Sequence, residues 1–220
     1  LVRRVARRVA GFGLGAEVVV ATDHRDVADA VRGLAVTPVL TDPRCSSGTE
    51  RVWQVAQRPE YRDAELILNV QGDEPLVARA AVTGAVDQVR DGADIGTAAG
   101  WLAPAAVRDP NKVKVGVNLR GRATRFLRTL QGTSCPHHGE ALFHHIGVYA
   151  YRRAALQRWA ALPPVPEERL ERLEQLRPLL HGMSIGVSPL EDAPAPGVDT
   201  AGDLEDVEHL LAAAGPGMDG

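Results

Sequence analysis

Residues 69–75, Asn-Val-Gln-Gly-Asp-Glu-Pro, follow a short apolar run, Glu65–Val70 (ELILNV), that reads as a buried strand. In open parallel sheets, ligands bind beyond the carboxyl ends of the strands, so Asp73 and Glu74 are displayed where a ligand would sit. Gly72 is expected to make a tight turn with positive φ, and Pro75 to end the strand. A carboxylate at such a place is a natural magnesium ligand when phosphates share the site. It is also what a solvated acidic turn looks like. A second acidic candidate, Asp199, stands in Gly197-Val198-Asp199-Thr200, 126 residues after Asp73, so only the fold can join the two. Thr200 with Asp203 fits a helix start, and Asp199 could simply favour the positive helix end.

Three further motifs could bind polar ligands. Ser46-Ser47-Gly48-Thr49-Glu50-Arg51 opens a helix, where free backbone N–H groups suit an anion or a base edge. Ser46 or Ser47 with Glu50 also fits a capping box, and both readings can hold together. Ala21-Thr22-Asp23-His24 ends the first strand on the same sheet edge as Asp73, or caps the next helix. Leu173-Glu174-Gln175-Leu176-Arg177 places Glu174 and Gln175 on the polar side of a helix. His137, His138, His144 and His145 invite a zinc reading, but neighbouring histidines in a strand point to opposite faces.

The elements that must position these residues alternate. Residues 1–10 read as an amphipathic helix, Ala16–Ala21 as a strand buried on both faces, Asp26–Leu34 as a helix and Val36–Leu40 as a strand. A helix near Gly48–Gln57, the ELILNV strand, a helix at Ala78–Arg90 and a strand at Ile95–Ala99 follow. This order predicts an α/β domain with a mostly parallel sheet. After Asn111 the pattern changes. Lys112–Asn118 (KVKVGVN) alternates with period two, which predicts an antiparallel strand with one wet face. Gln131–Glu140 reads as a loop and Phe143–Tyr151 as a strand. Pro166–His181 reads as one charged helix with Leu170, Leu173, Leu176 and Leu180 on its core side, stopped by Gly182. Met183–Val187 reads as a strand, Ala201–Ala214 as a last helix and Gly215–Gly220 as a frayed tail. No linker long enough to divide the chain is visible.

The 220 residues can bury a full core, and 24% charged and 45% apolar content is ordinary globular usage. A net charge of −3 gives no basic footprint for nucleic acid. No apolar run approaches the ~20 residues that span a membrane. Two cysteines, Cys45 and Cys135, lack metal-type spacing and fit a reducing, cytoplasmic setting.

Together ATDH, SSGTER, NVQGDEP, HHIGVYAYR, LEQLR and GVDTAGDLEDV, in this order, resemble the 3-deoxy-manno-octulosonate (KDO) cytidylyltransferases, also called CMP-KDO synthetases. The resemblance runs from about Leu1 to Leu211 and rests most on NVQGDEP and LEQLR. It implies a Rossmann-like nucleotidyltransferase fold with a mixed, mostly parallel sheet, usually as a homodimer. It implies the reaction of CTP with KDO to CMP-KDO and pyrophosphate, for lipopolysaccharide biosynthesis. Asp73 and Asp199 should hold Mg2+. Thr22, Asp23, Ser47, Gly48 and Arg51 should line the nucleotide side, and Gln71 should lie beside nucleotide or sugar. Arg128, His145, Tyr149, Glu174 and Gln175 should face the sugar. Residues 1–110 would form a nucleotide-binding half, 111–200 a sugar-binding and dimerisation half, and 201–214 a C-terminal helix of one domain. Two departures stand out. Nothing in residues 1–15 matches the family's opening strand and its Arg/Ser/Gly/Pro/Lys loop, which cradles the triphosphate. A loop and a central strand are therefore expected to be missing, through a truncated record or a real loss, with full activity of the chain in question. Phe126–Pro136 also differs from the family pattern. A different 2-keto acid sugar, such as a sialic acid or amino-KDO, and a non-catalytic relative stay open as alternatives.

Overall fold

The computed structural model describes residues 1–129 and 139–214. Cys135, His137 and His138, the end of the Phe126–Pro136 departure, most of the Gln131–Glu140 loop and the expected tail lie outside the described residues. Two compact units are present, both discontinuous in sequence.

The first unit comprises residues 1–62, 70–79 and 195–220. Its helix α1 (Val2–Gly11) buries Val5 and Ala6, as its spacing predicts. Arg3 of α1 donates to the main-chain oxygens of Ala30, at 2.7 Å, and Arg32. Strands β1 (Val19–Thr22) and β2 (Thr37–Leu40) pair in parallel as a two-stranded sheet. Between them α2 (Arg25–Ala30) is shorter than expected. Strand β1 starts three residues later than expected and is only half-buried except at Thr22, so its valine run is not enclosed on both faces. Helix α3 (Gly48–Ala56) follows the polar loop, and α8 (Ala201–Ala214) closes the unit.

The second unit comprises residues 63–69 and 80–194. Strands β4 (Ile95–Trp101), β5 (Lys114–Asn118), β6 (Ala123–Leu127), β7 (Glu140–Arg152) and β8 (Ile185–Pro189) run in the order β6-β5-β7-β4-β8. Strand β3 (Leu66–Val70) adds to β7. The pairs β5–β6, β5–β7 and β4–β7 are antiparallel, and β4–β8 is parallel. Helix α4 (Arg79–Arg90) packs close on β4: a Cβ at Gly96 would stand 1.8 Å from the Ala85 main-chain oxygen. The core gathers around Tyr149, Tyr151 and Trp159 of helix α5 (Arg153–Ala161).

Two sequence expectations give way here. Strand β5 has no wet face: Lys114 is 0% exposed and residues 114–117 are all buried, so side chains of both faces are covered. The Pro166–His181 helix is broken into α6 (Pro166–Glu171) and α7 (Leu176–Leu180). Leu173 and Leu176 are buried, but Leu170 and Leu180 are exposed. Pro178 explains the break, since in a continuous helix its ring would meet the Glu174 carbonyl and it could not donate to it. Arg172 takes the turn in the left-handed region, at φ 54°. The stop at Gly182 is as expected: Gly182 donates to Leu179 and Met183 to Pro178, the two bonds of a Schellman motif. Strand β6 and helix α5 carry no expectation from the sequence.

Candidate active site

In the first unit the motifs at the ends of β1 and β2 come together. The Thr22 hydroxyl accepts the His24 N–H at 3.1 Å, and the Thr22 carbonyl accepts the Thr41 N–H at 2.9 Å. This fixes the chain as it leaves the sheet and sets Asp23 beside Arg51, whose guanidinium lies 3.2 Å from the Asp23 carboxylate. Arg51 also donates to the Thr41 hydroxyl. Residues from three separated segments thus meet at the carboxyl edge of β1 and β2.

Ser47 caps α3, its hydroxyl accepting the Glu50 N–H at 3.2 Å. The Glu50 carboxylate in turn accepts the Ser46 N–H at 2.8 Å. Gly48 is the first helical residue, where no side chain shields the helix N-terminus.

Asp73 lies in the turn after β3, in which the Glu74 N–H bonds the Gln71 carbonyl at 3.2 Å. Gln71 is half-buried beside it. Gly72 does not have positive φ, contrary to expectation, and a Cβ there would meet nothing within 4 Å. The fold brings Asp199 to Asp73 through the main chain, since the Val198 N–H donates to the Asp73 carbonyl at 2.9 Å. Gly197 aids the approach: a Cβ there would stand 3.3 Å from the same oxygen. The Asp73 carboxyl is pushed above its ordinary range, first by burial and further by the neighbouring Asp199 charge. Its Oδ1 is buried with no hydrogen-bond partner. The capping of α8 falls to other groups. Thr200 and Asp203 bond reciprocally, and the Asp203 carboxylate also accepts the Asp199 N–H. Among the described residues the Asp199 carboxylate has no hydrogen bond or ion pair. Two carboxylates, one with a buried oxygen that has no partner, are therefore brought near each other, and among the described residues neither has an ion pair. That donor set fits a hard divalent cation whose other ligands are phosphate and water oxygens. Among the described residues no group of three or more His, Cys, Asp or Glu side chains could hold a metal.

In the second unit Thr97 organises the polar centre. The β4–β7 register jumps between Thr97 and Ala98, whose partners are Tyr149 and Ile146, so Gly147 and Val148 form a bulge. An unbroken strand would set residues four apart at ~13 Å. The bulge leaves the His145 and Tyr149 rings 5.4 Å apart. The Thr97 hydroxyl donates to the Val148 carbonyl at 2.7 Å, so it must accept from His145 Nε2–H at 3.0 Å. His145 is thereby the Nε2–H tautomer, with Nδ1 an acceptor. Burial, with a smaller effect from His144, lowers its pKa to about 3, so the ring stays neutral. Its neighbour His144 is lowered to about 4 by burial and by Lys112 and Lys114. Tyr149 is buried and packs against Tyr151 and Trp159.

Glu174 and Gln175 lie in the break between α6 and α7 rather than on the polar side of a helix. Gln175 is buried and Glu174 half-buried. The break is spanned by a bidentate ion pair between Arg177 and Glu168, at 2.6 and 2.8 Å. Arg128 donates to main-chain oxygens: Nε to Glu171 at 2.9 Å, and its terminal nitrogens to Pro110 and Arg172. Sequence reasoning passed over Lys114, Thr97 and Arg177. Only Lys114 carried a signal, as a lysine inside an otherwise apolar strand.

A cytidylyltransferase family model matches residues 1–185. The 3-deoxy-manno-octulosonate cytidylyltransferase of Methylococcus capsulatus is 42% identical, covering 98% of this chain and 88% of the relative. That of Gemmatimonas aurantiaca is 43% identical over 93% of this chain and 81% of the relative. A solved CMP:2-keto-3-deoxy-manno-octonic acid synthetase complexed with CTP superposes with a TM-score of 0.83 at 33% identity, covering 97% of this chain and 88% of that one. An inositol-1-phosphate CTP transferase from T. maritima shares the fold, with a TM-score of 0.62 at 16% identity.

Proposed function

The chain belongs to the 3-deoxy-manno-octulosonate cytidylyltransferase family, and from that premise we propose that it transfers CMP from CTP to the anomeric hydroxyl of KDO. The products are CMP-KDO and pyrophosphate. The observation that carries the reading is the uncompensated carboxylate pair, Asp73 and Asp199, joined through Val198.

The reaction is in-line attack of the sugar hydroxyl on the α-phosphorus, with pyrophosphate leaving. Such transfers depend mainly on positioning and charge neutralisation. Asp73 and Asp199 would hold Mg2+. When bound, that ion offsets the charge of the phosphate oxygens and lowers the pKa of a coordinated hydroxyl. Arg51, fixed by Asp23 and Thr41, gives the nucleotide side a located cation, and Thr22 holds the Asp23 turn. Ser47 and Gly48 present the α3 N-terminus, and Gln71 offers an amide next to Asp73. On the sugar side, neutral His145 offers Nδ1 as an acceptor, and Tyr149, Glu174 and Gln175 supply polar groups, with Arg128 adjoining. The exposed Trp101, opposite Phe143 in the β4–β7 register, supports pairing of two chains into a homodimer. Sedimentation checks that directly. Among the described residues no helix is long and apolar enough to cross a membrane. The two-cysteine composition favours the cytoplasm.

Pyrophosphate release from CTP, measured with KDO and with sialic acid in parallel, tests the function. KDO is expected to be the preferred acceptor by at least tenfold in kcat/KM, ~1.4 kcal/mol. Preference for sialic acid would overturn the sugar assignment, and no release with either acid would overturn the enzyme reading.

A further inference from the structure

A non-glycine residue in the left-handed region is strained and persists only where its surroundings over-determine it. Arg172 is the single such residue among the described ones, and it immediately precedes Leu173-Glu174-Gln175. Four contacts hold it. Arg128 Nε donates to the Glu171 carbonyl at 2.9 Å, a terminal nitrogen of Arg128 donates to the Arg172 carbonyl at 3.4 Å, and the Arg128 N–H meets the Glu171 carboxylate at 3.3 Å. The Leu173 N–H reaches back to the Glu168 carbonyl at 3.2 Å. Arg128 is itself anchored. Lys114 Nζ donates to the Arg128 carbonyl at 2.7 Å and to the Asp109 carbonyl. Arg128 then returns to the same loop through the Pro110 carbonyl at 3.2 Å.

We propose that Lys114 and Arg128 are positioning residues for the sugar site: a two-cation brace that holds the left-handed turn at Arg172 and so places Glu174 and Gln175. The proposal rests on the reading that those two side chains face the sugar. Lys114 is the base of the brace. It stands on central strand β5 with no exposed surface, so it cannot meet solvent or substrate, and its effect must pass through Arg128 and the Asp109–Pro110 loop. Burial lowers its pKa, and nearby Arg128 adds to that while Asp109 opposes it. An apolar replacement would remove the lysine donor from the Arg128 carbonyl and leave the Asp109 carbonyl with the Lys112 N–H at 3.2 Å, which loosens the main chain at Arg128. Arg128 is not interchangeable with lysine here, because one planar fork serves three carbonyls in different directions.

The test uses the full chain with three variants, Lys114→Met, Arg128→Gln and Arg128→Lys. Amide hydrogen exchange is followed over residues 170–177, and KM is measured for KDO and CTP. Lys114→Met and Arg128→Gln are each expected to speed exchange in 170–177 while β4 and β7 keep their protection. Each should raise the KM for KDO by about tenfold and that for CTP by less than about twofold. Arg128→Lys, which keeps the charge but not the fork, should recover only part. The double variant should be no worse than the more severe single one, as for members of one network. Normal KDO kinetics in Lys114→Met with a defect in Arg128→Gln would overturn the brace in favour of direct sugar contact by Arg128. Equal loss of protection across β4, β7 and the turn, or equal rises in both KM values, would overturn it in favour of a general packing role. Fast exchange at the turn in a wild-type chain that uses sialic acid but not KDO would overturn both. If protection at the turn follows the expected pattern in a chain that does not use KDO, the brace stands and the substrate reading fails.

Discussion

In the first unit the Asp73 carboxylate is left without an answering charge, whereas in the second the buried Lys114, Arg177 and His145 have protein partners. Asp73 keeps a buried oxygen with no partner and a second carboxylate nearby. In the second unit the buried Lys114 has two carbonyls, Arg177 has the Glu168 carboxylate and His145 has the Thr97 hydroxyl. Burying a charge or a polar group without a partner is costly. Those three groups of the second unit are therefore satisfied as folded, while the Asp199 charge works against ionisation of Asp73. One region answers these buried groups from within the protein, and the other holds a deficit that the proposed cation would relieve.

Breaking the deficit should have the largest effect. Asp73→Asn removes one carboxylate of the proposed cation site, and pyrophosphate release should fall by about a thousandfold, ~4 kcal/mol. Stability should move the other way. A carboxyl whose pKa rises on folding favours the folded state only below its unfolded pKa, and opposes it at neutral pH. Calorimetry without added cation should therefore show Asp73→Asn melting higher than wild type. A lower midpoint would mean that Asp73 is a structural partner instead.

The same operation on the second unit should only destabilise. Glu168→Gln removes the bidentate carboxylate from the buried Arg177, and denaturant unfolding should show a loss of at least about 1 kcal/mol. A neutral result would dissolve the contrast between the units.

A smaller effect sharpens it. His145 titrates near 6.5 when unfolded and at about 3 in the fold, so folding favours its neutral form. The stability this contributes is complete above pH 6.5 and is lost progressively as pH falls towards 3, at up to ~1.4 kcal/mol per pH unit. His145→Gln should show a flatter decline of thermal midpoint over that window. An unchanged slope would assign the acid sensitivity elsewhere.

The two regions also differ in how far they could be read from the sequence. Each motif of the first unit sits at a strand end or helix start, where local chemistry determines the conformation. Ser47 as a cap, Thr200 with Asp203 and the acidic turn after β3 were all legible for that reason. Even there the sequence could not tell Asp203, which caps α8, from Asp199, which is left free. The second unit depends on tertiary contacts. KVKVGVN reads as a half-wet strand, and only tertiary contacts, with the Asp109 and Arg128 carbonyls as acceptors, make Lys114 a buried anchor. The β7 bulge that joins His145 to Tyr149 has no mark in FHHIGVYAY except Gly147. The break in the Pro166–His181 helix was legible at Pro178, but the leucine spacing outweighed it. Glu174 and Gln175 were thus found by motif and misplaced on a continuous helix.

The central claim is that Asp73 and Asp199 act as one cation site. Pyrophosphate release from CTP and KDO should be followed against Mg2+ concentration in wild type and Asp199→Asn, after removal of metal with a chelator. Wild type should lose activity by at least about a hundredfold without metal and regain it on addition, while Asp199→Asn should need at least about tenfold more Mg2+ for half-maximal rate. Full turnover in chelator, or the same Mg2+ dependence in both proteins, would contradict the account.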